Sequence, residues 1–371
     1  MKRVFLFLIL TLSAACAQDF YVFAGQSNMS GQGKSEDLCL SDLDTDSIWG
    51  WDWVQNKFVT NLNPLENNHV FRAEALHGYP FDRTGFWGPE LAALRVIRDK
   101  TQRPVYFIKY GWGGSSLMAG HQINNNWQAD LYDRLHDEVA LTGRTPTAFL
   151  WMQGETESIT IQRANQYYDL LSDFIDRVKS EICSGLFIAG QVSFRFSDAI
   201  GTQESIEGNE IVQAAQLQLN QENKLKLVGT DDLTKYRDDL GHFDARSLRL
   251  FGVKMALQAL YGHTTNNSHA YPEVIGDYDN DGYTDALWSM RSGTDKVFKI
   301  WKMYKNYQVQ GQFNIYWNGY ILNRINERYK FINSLDVDND RDFDIYHTNG
   351  INHNIWRLDW PNVTHSKWLK E

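Results

Sequence analysis

The pentapeptide Gly25-Gln26-Ser27-Asn28-Met29 sets a serine on a glycine-led turn directly after Phe20-Tyr21-Val22-Phe23-Ala24, a run with the composition of a buried strand. A hydroxyl at the C-terminal end of such a strand stands at the rim where open α/β sheets bind ligands. Gly25 permits a sharp bend, and Gln26 and Asn28 bring polar groups around the hydroxyl. The same residue types also make an ordinary turn, so the rest of the chain must decide. A nucleophilic serine requires a histidine to take its proton and a carboxylate to fix the imidazole's tautomer. Asp239-Leu240-Gly241-His242 offers both at a spacing that brings the two side chains together on a loop or helical turn. Asp238 is a rival for the acid. Asp133 with His136 and Asp344 with His347 repeat the spacing. The first pair falls inside a helical pattern and the second in an acidic loop, whereas Asp239 and His242 follow the last sheet strand, on the rim of Ser27. Oxyanion stabilisation needs donors aimed at the charge that develops on the substrate oxygen. Three sources end strands: the Ser27 amide, the glycines of Gly113-Gly114-Ser115-Ser116, and Gln153 in Trp151-Met152-Gln153-Gly154-Glu155.

The elements that must carry these groups alternate. Further strands are predicted at Val105–Tyr110, Thr147–Met152, Leu186–Val192 and Leu225–Val228. Helices are predicted at Pro89–Lys100, Leu131–Thr142, Gln162–Ile182, Asn209–Asn220 and Ala245–Tyr261. The third is the clearest, with Tyr167, Leu170, Leu171, Phe174, Ile175, Val178 and Ile182 at helical spacing. Such alternation implies an α/β fold with a parallel sheet covered by helices on both faces. The stretch 36–87 breaks the rhythm and is too long for a simple connection, so it is expected to be an insertion at the rim near the serine.

Taken together, the segments Gly25–Met29, Gly113-Gly114-Ser115-Ser116-Leu117 with Trp127, Trp151–Glu155 and Asp239-Leu240-Gly241-His242-Phe243 resemble the SGNH hydrolase superfamily. The resemblance is to its branch of sialate O-acetylesterases and acetylxylan esterases, and it covers roughly residues 19–262. It implies a three-layer α/β/α, flavodoxin-like fold. It also implies Ser27 as nucleophile, His242 as base, Asp239 as its acid partner, and Gly114 and Gln153 as oxyanion donors beside the Ser27 amide. Gln26, Asn28 and Glu155 would support the site. Met152 departs from the histidine often found before that glutamine. The implied activity is removal of O-acetyl groups from carbohydrate, xylan or a related polysaccharide, through an acetyl-serine and with no catalytic cofactor. Sialic acid is the alternative substrate. A non-catalytic, calcium-dependent glycan-binding protein is the alternative of another class, and the complete triad argues against it. A generic α/β-hydrolase elbow fits less well, because it expects glycine where Met29 stands.

After Tyr261 the character changes. A polar stretch leads into short aromatic strands, and two segments there repeat each other: Asp277, Asp279, Asp281 and Asp285 in one, Asp336, Asp338, Asp340 and Asp344 in the other. Carboxylates alternating in this way can wrap oxygen ligands around calcium. Position 12 of each loop holds Trp288 or His347, so neither is an EF-hand, and the strand-loop-strand setting resembles the calcium repeats of integrin-type propellers. Gly282 eases the bend of the first loop, and Arg341 stands in its place in the second. The expected division is therefore a signal segment 1–17, an esterase domain 18–262 and a small β-rich module 263–371 carrying structural calcium.

Lys2 and Arg3, the apolar run Val4–Leu12 and the small residues Ala15-Cys16-Ala17 read as an export signal, implying a secreted or periplasmic protein. The run is too short to span a bilayer. Cys16 also allows a weaker reading as a lipoprotein anchor. Cys39 and Cys183 are the remaining thiols, paired or free. A net charge of −10 argues against nucleic acid and anionic membranes as partners. The aromatic content of 14% suits a sugar-binding surface, although large cores use aromatics too. Protein partners cannot be read from the sequence.

Overall fold

The computed structural model describes residues 19–262 except 83, 119–125, 194–195, 231 and 237–238, and beyond 270 the backbone of the strands between 271 and 369. The signal segment with Cys16, the polar stretch 263–270, Asp238 and the acidic-loop residues Asp277, Asp279, Asp281, Asp336, Asp338 and Asp340 lie outside the described residues.

Seven strands form the central sheet: β1 (Asp19–Gly25), β2 (Ile48–Asp52), β3 (Lys57–Val59), β4 (Val105–Gly111), β5 (Ala148–Met152), β6 (Leu186–Gly190) and β7 (Lys226–Val228), in the order β3-β2-β4-β1-β5-β6-β7. All neighbours are parallel except the edge pair β2–β3. With β2 and β3 set aside, the remaining strands follow the 2-1-3-4-5 order of flavodoxin-like folds. The α/β fold with a mainly parallel sheet is as expected.

Both faces of the sheet are buried, and side chains alternate between them. Phe20, Val22, Ala24, Ile108, Tyr110, Phe149 and Trp151 share one core with Leu135, Phe174, Ile175, Val178 and Leu219 of the helices Asp130–Leu141, Tyr167–Glu181 and Gln203–Gln221. Tyr21, Phe23, Phe107, Leu150, Met152 and Ile188 share the other with Leu94, Ile97, Phe251 and Met255 of Glu90–Thr101 and Ala245–Tyr261. This is the three-layer arrangement. The helix expected over Gln162–Ile182 divides into Ile161–Ala164 and Tyr167–Glu181. At the junction Gln166 N–H bonds the Arg163 carbonyl, three residues back, so the helical ladder tightens and breaks there.

The stretch 36–87 is more than a rim insertion, because its β2 and β3 extend the sheet past β4. The insertion is tied to the C-terminal helix through Asp42. This fully buried carboxylate accepts from Arg249 Nε at 3.0 Å and Nη2 at 2.6 Å, from Arg95 Nη1 at 3.2 Å and from the Cys39 amide at 3.0 Å. A second tie runs from the Tyr236 hydroxyl to Asp37 at 2.9 Å. Cys39 is exposed and Cys183 buried, and the two are unpaired.

Beyond 270, Tyr271–Gly276, Asp285–Ser292, Asp295–Tyr304 and Gln308–Asn314 form a four-stranded antiparallel sheet. Lys330–Leu335, Asp344–Thr348, His353–Asp359 and Asn362–Leu369 form a second antiparallel run within a six-stranded sheet. The two acidic segments join corresponding strands. Gly276 pairs with Asp285 and Leu335 with Asp344, and a register shift falls between Pro272 and Val274 in one hairpin and between Phe331 and Asn333 in the other.

Burial by itself would raise the Asp42 carboxyl, but the Arg249 and Cys39 hydrogen bonds hold it down to about 2. A depressed carboxyl contributes stability that is fully present above its unfolded value of about 4 and is lost as pH falls through the folded value. Asp42→Asn leaves Arg249 half-buried without its partner and is expected to cost about 3 kcal/mol of unfolding free energy at pH 7. Denaturant melts of both proteins between pH 7 and pH 2 check this, with the difference shrinking below about pH 4.

Candidate active site

Gly25 closes β1 with φ +146°, and a Cβ there would overlap the Met152 carbonyl at the end of β5. Only glycine lets β1 and β5 approach so closely. The Gln26 amide then donates to that same carbonyl at 2.8 Å, and Ser27–Ser30 form one helical turn. Ser27 thus sits at the switch point between β1 and β5, its residue 9% exposed.

Asp239 and His242 reach it from a hairpin. The sequence suggests a loop or helical turn; instead Asp239–Phe243 is a strand, β9, paired with β8 (Lys235–Tyr236). A register shift in that pairing interrupts regular pleating, which would otherwise send residues three apart to opposite faces. The Asp244 side chain then caps the next helix by accepting from the Ser247 amide at 2.8 Å. The Ser27 hydroxyl donates to His242 Nε2 at 2.8 Å, and His242 Nδ1–H donates to Asp239 Oδ2 at 2.6 Å. The carboxylate fixes the tautomer, leaving Nε2 as acceptor. Asp239 Oδ1 also accepts the Gly241 amide at 3.1 Å. The His242 hydrogen bond outweighs partial burial and holds the Asp239 carboxyl below its usual range. The pair Asp133 and His136 makes no such contact, since His136 meets Asp137.

Asn28 joins the serine turn to the hairpin that carries His242. Its Oδ1 accepts the Phe243 amide at 3.0 Å, and its Nδ2 donates to the Gly241 carbonyl at 3.3 Å, so the carboxamide grips the backbone on either side of His242. The same Nδ2 donates to Glu155 Oε1 at 2.7 Å. Burial pushes the Glu155 carboxyl up, opposed by the Asn28 bond. Gln26 completes the brace with Oε1 accepting from the Gly154 amide at 3.4 Å and Nε2 donating to Thr156 at 3.3 Å.

The loop after β4 brings Gly114 with φ +68°, where an added Cβ would meet nothing within 4 Å. Trp112 N–H donates to the Gly25 carbonyl at 2.9 Å, which fixes this loop against the end of β1. Gln153 is fully buried, and its Nε2 donates to Glu157 and, at 3.4 Å, to the Ser115 carbonyl. Glu157 in turn accepts from the Ser116 hydroxyl at 2.6 Å and the Leu117 amide at 2.8 Å. Gln153 therefore buttresses the Gly114 loop in this structure.

Sequence reasoning missed a buried charge network beneath the serine turn. Lys109 Nζ donates to the Ser30 carbonyl at 2.8 Å and pairs with Glu90 at 2.8 Å. Arg72 Nη1 donates to the Ser30 and Gly31 carbonyls at 3.1 and 2.9 Å, and Nη2 pairs with Glu74 at 2.8 Å. Two cations thus hold the C-terminal carbonyls of the helical turn, where the partial charge is negative. The available signal was a lysine inside the otherwise apolar strand Val105–Gly111.

Among the described residues no group of three or more His, Cys, Asp or Glu could hold a metal ion. Asp285 and Asp344 begin strands, and the remaining aspartates of their loops lie outside the described residues.

Because Asn28 aligns His242 with Ser27 without touching either side chain, Asn28→Ala is expected to lower kcat on a small acetyl ester about 100-fold while KM moves less than about twofold. Steady-state kinetics on the purified variant check this.

The family model for carbohydrate esterase, sialic acid-specific acetylesterase, matches residues 17–261. No curated protein matches the chain. Among solved structures, a protein from Arabidopsis thaliana is 17% identical, with a TM-score of 0.52 over 66% of this chain and 98% of that one. A carbohydrate acetylesterase from Xanthomonas citri is 15% identical, with a TM-score of 0.49 over 76% of this chain and 62% of that one. An acetyl xylan esterase variant from Geobacillus stearothermophilus is 10% identical, with a TM-score of 0.37 over 65% and 94%. The chain belongs to the carbohydrate esterase, sialic acid-specific acetylesterase family, and it is a carboxylic ester hydrolase.

Proposed function

We propose that the protein is an exported serine esterase that removes O-acetyl groups from xylan or a related polysaccharide through an acetyl-serine. The single observation that carries the chemistry is the unbroken hydrogen-bond line from the Ser27 hydroxyl through His242 to Asp239. Ser27 Oγ attacks the acetyl carbonyl carbon as His242 Nε2 takes the hydroxyl proton. The C–O bond to the sugar breaks, and the sugar oxygen leaves with that proton. Water, deprotonated by Nε2, then attacks the acetyl carbonyl; acetate departs and Ser27 regains its proton. The oxyanion is held by the amides of Ser27 and Gly114. Gln153 joins them if its Nε2 exchanges the long Ser115 contact for the substrate oxygen. Asp239, with its lowered pKa, stays ionised well into acid and keeps the imidazole in its working tautomer.

A second reading, an O-acetylated sialic acid as substrate, is favoured by the description of the matched family. The export proposal rests on the basic and apolar start of the chain; among the described residues no helix is long and apolar enough to cross a membrane. Structural calcium in the two acidic loops remains a proposal from their spacing, supported by the matching register of the hairpins they join.

Acetate release from p-nitrophenyl acetate, acetylated xylan and an acetylated sialoside tests the assignment. The wild type is expected to be active and Ser27→Ala to lose at least about 10³-fold in kcat; equal activity of the two would end the serine mechanism. Chelation by EDTA is expected to lower Tm by several degrees and added calcium to restore it, and an unmoved Tm would remove calcium from the account.

A further inference from the structure

Trp112, Tyr79 and Phe81 stack in a row beside the serine turn, and the outermost is largely exposed. Trp112, 6% exposed, is fixed to β1 by its amide bond to Gly25. Tyr79 packs on it edge-to-face, with centroids 5.3 Å apart. A Cβ built on Gly113 would overlap the Tyr79 hydroxyl and stand 3.6 Å from the Ser27 Cβ, so phenol and nucleophile converge above the same glycine. Phe81 packs edge-to-face on Tyr79 at 5.8 Å and is 60% exposed.

A lone exposed phenylalanine is ordinary. This one packs on Tyr79, whose hydroxyl lies over the glycine that faces Ser27, and the turn that carries Tyr79 is held in place. The helical turn Ala73–His77 ends on Gly78 with φ +83°, and the Tyr79 amide bonds back to the Glu74 carbonyl at 3.2 Å. His77 Nδ1 meets the Tyr110 hydroxyl at 3.1 Å. After Phe81, Asp82 accepts from the Thr84 amide at 2.9 Å and from its hydroxyl at 2.8 Å, which closes the turn. An apolar ring held ready in this way does not have to be ordered on binding.

The leaving group of the reaction is a sugar. A pyranose offers an apolar face of C–H bonds and a polar edge of hydroxyls, which suits an exposed aromatic ring beside a phenol hydroxyl. We infer that Phe81, supported by Tyr79, is the platform on which the pyranose bearing the scissile acetyl group packs. It is a specificity element that recognises the glycoside and not the acetyl group. The inference rests on the carbohydrate acetylesterase reading above.

The test compares kcat/KM on O-acetylated xylo-oligosaccharides, and on an O-acetylated sialoside, with kcat/KM on p-nitrophenyl acetate, which has no pyranose. Phe81→Ala is expected to lower the glycan-to-p-nitrophenyl ratio about tenfold, and Phe81→Trp to keep it near the wild-type value. Deacetylated xylo-oligosaccharide, as a competitive inhibitor of p-nitrophenyl acetate hydrolysis, is expected to weaken about tenfold in Phe81→Ala. A Phe81→Ala ratio within about twofold of wild type overturns the platform and leaves the carbohydrate acetylesterase reading standing, whereas a wild type that hydrolyses p-nitrophenyl acetate but neither glycan overturns the platform and the carbohydrate substrate together. A wild type inert on every ester overturns both.

Discussion

The carboxamide of Asn28 is the joint on which the site depends. Ser27 opens the helical turn that follows the first strand, and His242 stands 215 positions later on a small hairpin. Asn28 spans that gap with an acceptor for Phe243 N–H and a donor for the Gly241 carbonyl, and these bonds fix the backbone that carries the imidazole. A hydroxyl or carboxylate could not do the same, because the contact needs a donor and an acceptor on one planar group. Glu155, in the loop after β5, anchors the donor end, so three separate segments meet on one side chain.

Around that joint the protein buries ionisable side chains where most cores bury hydrocarbon. Lys109 with Glu90 and Arg72 with Glu74 lie under the serine turn, and Glu155 and Glu157 lie beside it. Buried pairs of this kind are weak sources of net stability but penalise any arrangement that leaves one partner alone. Their cations bond backbone carbonyls of the serine turn, and Glu157 bonds the loop of Gly114, so the penalty falls on displacement of the catalytic backbone. The catalytic segments are therefore held by polar geometry and the outer layers by apolar packing.

Much of this was legible in the chain. The strands carrying Ser27 and Gln153 are short aliphatic and aromatic runs ended by glycine or a polar motif, a pattern that local physics writes plainly. That Ser27, His242 and Asp239 could meet followed from placing them at ends of parallel strands or just after them, and the structure brings the three side chains into hydrogen-bond contact. The conformation around His242 was not legible, because β9 owes its strand form to pairing with Lys235 and Tyr236 and to the grip of Asn28, both tertiary. Nor were β2 and β3, whose Trp-Gly-Trp and Lys-Phe-Val runs are too short to separate from loop by periodicity. Lys109 was visible as an anomaly, but its partners Glu90 and Ser30 come from other elements.

The separation of Ser27 and His242 along the chain has a consequence for synthesis. Ser27 leaves the ribosome early, yet His242 and the helix that follows it, Ala245–Tyr261, come at the end of the sheet domain. That last helix packs with Phe23, Leu150 and Met152 of the sheet and with Phe243 at the end of β9. Any chain cut short before residue 242 carries Ser27 without the imidazole that its hydroxyl bonds in the full fold. The hydrogen-bonded line from Ser27 through His242 to Asp239 is therefore completed only when nearly the whole sheet domain has been made.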